Sequence, residues 1–171
     1  MKLGRQQPLG LRIYGRMAEL RNRLSRARYF RGHGVHSPFV YDLVRQVFIR
    51  DSLLPGPRDL HDALLARGVS RRRAIQLQHL AIHCGYATFC LDGADADLRL
   101  LTRDLPRPET LALVRTASAA GHTVAVLSPY EGRERQVLCM QLVASHRSTT
   151  VDNRGYLLVF NNHLPKQHFK L

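Results

Sequence analysis

Histidines at two places in the chain have spacings that suit chemistry. His33 and His36 lie in a short glycine-containing stretch, and an imidazole whose pKa is near neutrality can donate or accept a proton in a reaction. His79 and His83 are four residues apart, the spacing at which two histidines on one helix face share a metal ion. No third ligand accompanies them, so we predict a solvent-exposed helix face and no metal site. The simpler interpretation is that His33 and His36 lie in a loop and that their ring nitrogens fix the start of the next helix.

The familiar catalytic and ligand-binding motifs are absent from the sequence. It contains no G-x-S-x-G, P-loop, H-E-x-x-H or EF-hand loop. Its three cysteines, Cys84, Cys90 and Cys139, are an odd number without a C-x-x-C pair, which suits neither a disulfide framework nor a zinc site. We therefore predict a reducing, cytoplasmic setting.

The chain is strongly basic, and much of that charge lies near its start. Lys and Arg number 26 against 13 Asp and Glu, for a net charge of +13. Residues 1–31 hold nine of the basic residues and one acid, Glu19. Apolar residues recur there every three or four positions over 11–29, so we predict a basic N-terminal arm with an amphipathic helix. That helix either binds an anionic partner such as nucleic acid or packs on the domain with its arginines in solvent; we favour the second.

Length and composition otherwise predict one soluble domain over 32–171. The chain has 171 residues, of which 44% are apolar, enough to bury roughly two-thirds of the unfolded surface. No apolar run approaches the roughly 20 residues of a membrane span. Aromatic residues are few and scattered, which argues against a stacking platform for single-stranded nucleic acid.

Three segments that follow the arm in sequence show helical periodicity. Ser37 and Pro38 suit the N-cap and first turn of a helix that runs to about residue 50, with apolar residues at 39, 40, 43, 44, 47 and 48. A short helix is predicted over 59–66, and a longer one from a Ser70 cap to about residue 84. The longer helix has an apolar stripe at 74, 77, 80, 81 and 84 and a polar face of Arg72, Gln76, His79 and His83.

The pattern changes to strands after residue 86. Strands are predicted over 87–91, 98–101, 123–127, 148–151 and 156–160, with 166–171 as a further candidate. Helices are predicted over 109–120 and about 130–146, the second begun by a capping box of Ser128 and Glu131 and facing the sheet with residues 137, 138, 140, 142 and 144. This alternation predicts an α/β fold: a mostly parallel sheet of about five strands, helices on both faces and an antiparallel C-terminal pair.

Two stretches, and more weakly a third, resemble one family. They are HGVHSPFVY at residues 33–41, the segment 149–171 that ends in KQHFKL, and, less closely, residues 71–83. The amino-acid sequences of these stretches and their order along the chain are similar to those of a bacterial family of small class I, S-adenosylmethionine-dependent methyltransferase-like proteins, which are generally longer than this chain. The resemblance implies a Rossmann-like methyltransferase sheet whose last two strands are antiparallel.

The resemblance also implies where S-adenosylmethionine would lie. It places the cofactor at the carboxyl ends of the first strands, beside a glycine-rich turn after strand one. If 88–91 is strand one, the turn here is Asp92-Gly93-Ala94-Asp95-Ala96, with one glycine where the family has several. Asp92, Gly93 and Asp95 are then the candidate cofactor-binding residues, since the carboxylates at 92, 95 and 97 would attract a sulfonium. Asp92 and His36 are the candidate catalytic residues.

The next predicted strand follows this turn at once, which leaves no room for the helix, ribose-binding strand and adenine wall that normally intervene. We infer that a block is missing and that strands one, four, five, six and seven of the parent fold remain. An alternative register aligns 89–93 with strand four, where the family has a similar apolar-Asp-Gly ending, and strand one is then absent. The glycine-rich loop is lost in either register.

Three functions follow as hypotheses. The leading one is a degenerate methyltransferase-like protein that binds S-adenosylmethionine poorly or not at all and is kept as a binding or scaffold protein. The second is an active methyltransferase for a small molecule or RNA whose site a partner completes, and the third is a basic nucleic-acid-binding module. Lost strands would also expose a sheet edge, at which we expect self-association.

Overall fold

Five helices and six strands follow one another in the described part of the chain. A computed structural model describes residues 37–171; the predicted arm over 1–31, His33 and His36 lie outside the described residues. The elements in chain order are α1 (Pro38–Leu43) with a π-helical continuation (Val44–Phe48), α2 (Asp59–Ala66), α3 (Arg71–Cys84), β1 (Phe89–Leu91), β2 (Leu98–Leu101), α4 (Arg107–Ala120), β3 (Thr123–Leu127), α5 (Arg133–Ser145), β4 (Thr150–Asp152), β5 (Tyr156–Val159) and β6 (His168–Lys170). None of the helices over 37–171 is long and apolar enough to cross a membrane.

The strands form one mixed sheet in the order β1-β2-β3-β5-β4-β6. The β1–β2, β2–β3 and β4–β6 pairs are parallel, whereas β5 runs antiparallel to both β3 and β4. The predicted α/β class and the antiparallel pair near the C-terminal end are therefore confirmed. Within residues 37–171 the sheet has six strands instead of about five, because the candidate strand near the end of the chain pairs with β4.

Alternate residues of the strands supply two apolar cores. Leu98 and Leu100 of β2 belong to the core under α1, α2 and α3, whereas Leu101 belongs to the core under α4 and α5. All five residues of β3 are buried. Helices thus cover both faces of the sheet, as the unbroken apolar run at 123–127 predicted.

The first described helix begins where the sequence predicts. The Val40 N–H donates to the Ser37 hydroxyl at 3.4 Å, and Pro38 occupies the first helical position. Five of the six predicted apolar positions, Val40, Leu43, Val44, Val47 and Phe48, are buried, and Phe39 is partly buried against the same core. Cap and stripe together anchor this helix on the sheet.

The predicted capping box at the start of α5 is wrong. An N-cap residue needs an extended backbone, but Ser128 has a φ of 50° and its carbonyl accepts the Glu131 N–H in a tight turn. The Glu131 carboxylate binds Arg103 Nη1 at 2.5 Å, so it does not cap the helix. The helix therefore begins only at Arg133.

The buried face of α5 also differs from the prediction. Positions 135, 138, 139 and 142 are buried, which is the helical spacing i, i+3, i+4, i+7, while Val137 and Met140 are exposed. An arginine, Arg135, takes the first position of this buried face.

The prediction that the polar face of α3 is exposed to solvent is wrong at two of its four positions. Gln76 and His79 are 5% and 1% exposed, because the segment that follows α1 packs over them. The Gln76 amide nitrogen donates to the Phe48 carbonyl, and the Leu54 N–H donates to His79 Nε2 at 3.3 Å. His83 remains exposed, and no group of three potential metal ligands occurs within residues 37–171.

The burial of His79 predicts a pH-dependent stability. Burial lowers the pKa of His79, and the nearby Arg50 charge lowers it further. At pH values below about 6.5 the unfolded chain then binds a proton that the folded chain does not, so this contribution is full above that pH and lost as the pH falls. Urea unfolding of His79→Gln should therefore show a smaller loss of unfolding free energy than wild type between about pH 7.5 and pH 5.5.

The exposed neighbour provides the control for this experiment. His83→Gln should keep the wild-type pH dependence, because its side chain meets water in both states. Equal pH dependence in the His79→Gln variant and the wild type would show that His79 is not held neutral by the fold.

Candidate functional site

One edge of the sheet collects the ends of five strands. β1, β2, β3, β4 and β6 all point the same way, and β5 begins where they end. We call this the carboxyl edge. In open α/β sheets ligands bind at this edge, so it is where a functional site is expected.

A connection of six residues, 92–97, joins β1 to β2 although the two strands are parallel. Parallel strands usually need a crossover of about a dozen residues or more, commonly a helix. Here the chain turns back at Asp92, whose φ is 55°, and the Asp92 N–H donates to the Leu100 carbonyl at 2.9 Å. The left-handed residue of this turn is therefore the aspartate and not Gly93.

The Asp92 carboxylate is bound by the chain itself. Its two oxygens accept the Thr102 N–H and the Thr102 hydroxyl, each at 2.7 Å. The Arg67 guanidinium lies 3.9 Å away on the solvent side. The candidate cofactor-binding and catalytic carboxylate thus holds the end of β1 to the end of β2.

A second carboxylate braces the other end of the same connection. Asp97 Oδ2 accepts the N–H groups of Ala87 and Thr88, each at 2.9 Å, and the Thr88 hydroxyl accepts the Asp97 N–H at 3.0 Å. The hydrogen bond from the Thr88 N–H, and to a smaller extent the one from the Ala87 N–H, lowers the pKa of Asp97. Asp97 is therefore also a structural residue.

The remaining candidates in this connection do not converge on a cavity. A Cβ on Gly93 would lie 3.4 Å from both Cβ and Sγ of Cys90, so this glycine packs against the preceding strand. Asp95 is exposed. The backbone N–H groups of Gly93 and Asp95 face the Cys90 sulfur, although burial still raises the pKa of this thiol. The turn wraps around a side chain of the protein.

Arg135 fills the space between the ends of β2 and β3. Its Nη2 donates to the carbonyls of Leu101, Thr102 and Leu127 at 2.9, 2.8 and 3.0 Å, and its Nε donates to the Leu127 carbonyl. The side chain is 8% exposed, and burial lowers its pKa. A buried cation therefore closes this part of the carboxyl edge.

A cavity lies farther along the same edge, where α3 begins beside the β4–β5 turn. Its volume is about 200 Å³. We call it the arginine cleft; its lining residues are Arg72, Arg73, Gln76, Asn153, Arg154, Gly155 and Leu171.

Hydrogen bonds between buried polar groups form the floor of the arginine cleft. Gln76 Oε1 accepts the Tyr156 hydroxyl at 3.1 Å and the Asn153 amide at 3.2 Å, and the Asn153 amide also donates to the Tyr156 oxygen at 2.9 Å. Tyr156 is fully buried, and burial raises its pKa. The floor is therefore neutral and held by side chains from both α3 and the sheet.

Gly155 leaves space for Arg73 on the wall of the cleft. A Cβ at Gly155 would collide with Arg73 Nε and lie 2.5 Å from its Cδ and 2.8 Å from its Cζ. The arginine side chain thus lies directly on the turn backbone. Arg154, at φ 51°, is the left-handed residue of this turn, and its N–H donates to Asp152 Oδ1 at 3.0 Å.

A more open groove of about 490 Å³ lies between α4 and α5, away from the carboxyl edge. Arg115 and Arg147 line it together with apolar and small polar side chains. Both arginines are exposed, so this groove also presents guanidinium charge, as the arginine cleft does, but at a different place on the surface.

Sequence reasoning found the acidic turn but missed Arg135 and the arginine cleft. Arg135 has the sequence neighbourhood of a surface residue on a helix, and the sheet order alone brings it to the strand ends. One local signal did exist for the cleft, because three consecutive arginines follow Ser70, which occupies the N-cap position without a side-chain capping hydrogen bond. No family model, curated protein or solved structure matches the chain.

Removing the buried guanidinium should destabilise the fold. Arg135→Met keeps most of the side-chain volume but leaves three strand-end carbonyls without their donor, which should lower the free energy of unfolding by roughly 2–3 kcal/mol in urea titration. Arg133→Met, in the same turn of α5 but exposed, should change it by less than about 0.5 kcal/mol. Equal effects of the two substitutions would mean that Arg135 does not hold the strand ends.

The two candidate carboxylates of the β1–β2 connection should differ in the same assay. Asp92→Ala removes both acceptors of Thr102 and should cost roughly 2 kcal/mol of unfolding free energy. Asp95→Ala, at an exposed position, should cost less than about 0.5 kcal/mol. If Asp92→Ala leaves the free energy of unfolding unchanged, Asp92 does not hold the strand ends and is again a candidate ligand-binding residue.

Proposed function

We propose that this chain is a degenerate class I methyltransferase-like domain that binds S-adenosylmethionine poorly or not at all and acts as a binding or scaffold protein. The observation that carries the proposal is the closed carboxyl edge at β1, β2 and β3. The resemblance implies a cofactor at this edge, where Asp92 and Arg135 are hydrogen-bonded to the strand ends.

The residues at this edge do not fit S-adenosylmethionine. A connection of six residues has no glycine-rich segment that would let a backbone approach the cofactor, and the one glycine packs on Cys90. The Asp92 and Asp97 carboxylates already accept hydrogen bonds from the chain. Part of the hydrogen-bonding capacity of both carboxylates is therefore used by the fold itself.

Electrostatics at the same edge points in the same direction. S-adenosylmethionine carries a positive sulfonium, and Arg135 places a buried positive charge between the ends of β2 and β3. Like charges repel most strongly where water is excluded. A sulfonium directly beside this guanidinium would be repelled, although the nearby carboxylates of Asp92, Asp104 and Glu131 offset part of the positive charge.

Two features of the sheet support descent from the methyltransferase fold. β1, β2 and β3 are parallel, and the last two strands before the KQHFKL segment, β4 and β5, form an antiparallel pair. Both are implied by the sequence resemblance. The short β1–β2 connection agrees with the loss of the cofactor-binding block in either register of the resemblance.

Binding remains available to such a domain because the rest of its structure is intact. Both apolar cores are continuous, and the sheet edges at β1 and β6 are only three residues long, which limits strand-to-strand association. The net charge of +13 favours anionic partners. An active enzyme completed by a partner, and a nucleic-acid-binding module driven by residues 1–31, are the competing functions.

Isothermal titration calorimetry tests the proposal directly. S-adenosylmethionine and S-adenosylhomocysteine should each show no binding tighter than about 100 μM, which corresponds to roughly −5.5 kcal/mol. Circular dichroism of the same sample should show cooperative unfolding, so that a negative result reports on a folded protein. A dissociation constant well below that limit for either ligand would favour the active-enzyme alternative.

A further inference from the structure

We infer that the arginine cleft is a binding site for a phosphate group. This inference deepens the proposed binding function, because it names the site and the chemistry of its ligand. It is carried by the charge of the cleft, by two arginine side chains without partners among residues 37–171, and by the preformed position of one of them.

Positive charge is concentrated in the lining of the cleft. Arg72 and Arg73 come from the first turn of α3 and Arg154 from the β4–β5 turn, and the seven described lining residues include no Asp or Glu side chain. Arg154 and Leu171 already interact with other groups, so Arg72 and Arg73 are the cations that remain for a ligand. Guanidinium groups from two different elements thus meet at one cavity of about 200 Å³. A phosphate group, with a charge near −2 and oxygens in several directions, matches this arrangement better than a single carboxylate.

The arginines of α3 stand where a helix disfavours them. The first turn of a helix carries partial positive charge, yet Arg71, Arg72 and Arg73 follow one another there and no acid lies in that turn. Within the described part of the chain, neither the Arg72 nor the Arg73 side chain forms a hydrogen bond or ion pair. A local rule broken without compensation from residues 37–171 is typical of a functional site, and a bound anion would supply the compensation.

Arg73 is held in place before any ligand arrives. Its side chain is half-buried and lies against the Gly155 backbone, in space that a Cβ would fill. The hydrogen-bonded floor of Gln76, Asn153 and Tyr156 fixes the two elements that carry the arginines. A preformed guanidinium loses less conformational freedom on binding, which favours affinity.

The size of the cleft limits what it can enclose. Pockets that enclose whole drug-sized ligands measure about 300–1,000 Å³. At about 200 Å³ the cleft encloses a phosphate group with a few water molecules, while the rest of the ligand lies outside. Free phosphate, a phosphomonoester and a phosphodiester of a nucleic acid share this chemistry.

Titration of the full chain with inorganic phosphate tests the inference. Wild type should bind phosphate saturably, and Arg73→Gln should weaken the binding by about tenfold or more, as expected when a charge-assisted hydrogen-bonding group is lost. Arg115→Gln removes the same charge from the groove between α4 and α5 and should leave the affinity within about twofold. Equal weakening by both substitutions, or no saturable binding by wild type, would overturn the inference.

Two further variants separate a positioned arginine from diffuse attraction. Gly155→Ala keeps the net charge but displaces the Arg73 side chain, so phosphate binding should weaken although every arginine is present. Arg73→Lys also keeps the charge but loses the planar fork, and it serves as the second variant if Gly155→Ala does not fold. Wild-type phosphate affinity in a folded variant of either kind would contradict a preformed site.

Oligonucleotides distinguish the sources of the phosphate. A short oligothymidine with a 5′-phosphate should bind more tightly than the same oligomer without it if the cleft takes a monoester, and equally if it takes the backbone diester. In either case Arg73→Gln should reduce the salt dependence of log K by about one counterion relative to wild type, whereas an unchanged slope would exclude the cleft from the oligomer's binding site.

A titration with S-adenosylhomocysteine separates the two proposals. If wild type and Arg73→Gln bind it equally well, the proposed loss of the cofactor is refuted and the phosphate site still stands.

Discussion

The chain must reverse twice within six residues to place β2 parallel to β1, and most features of the carboxyl edge follow from this constraint. So short a connection cannot include a helix, so the strand ends are held by hydrogen bonds from side chains. Asp92 binds Thr102 at one end of the connection, and Asp97 binds Thr88 at the other. Carboxylates that could serve a ligand are therefore used to keep two strands in register.

The same edge changes its electrostatic character along its length. Beside β2 and β3 the positive charge of Arg135 is buried, and its Nε and Nη2 donate to backbone carbonyls, so it stabilises the fold. Beside the β4–β5 turn, Arg72 and Arg73 line an open cleft without partners in the described part of the chain. We interpret the first region as a former cofactor site that the protein has filled and the second as a site that an anion can enter.

Local sequence patterns predicted the elements well, because caps, turns and apolar periods act within a few residues. Ser37, for example, caps its helix as predicted. The failures involve partners that are distant in sequence: His79 is buried against Leu54, and Glu131 binds Arg103 instead of capping α5. The candidate site could be predicted only as a turn with one glycine. That a guanidinium closes the edge depends on the order of the strands, which no local pattern contains.

Amide hydrogen exchange at the β1–β2 junction tests most directly whether the edge is closed by the protein's own hydrogen bonds. The Thr102 N–H donates to Asp92, and the Asp92 N–H donates to the Leu100 carbonyl. If these bonds lock the strand ends, both amides should exchange only through global unfolding, with the same free energy as the centre of β3. Exchange of Thr102 and Asp92 through a local opening several kcal/mol below the global value would show an edge that opens by itself, and it would contradict the account.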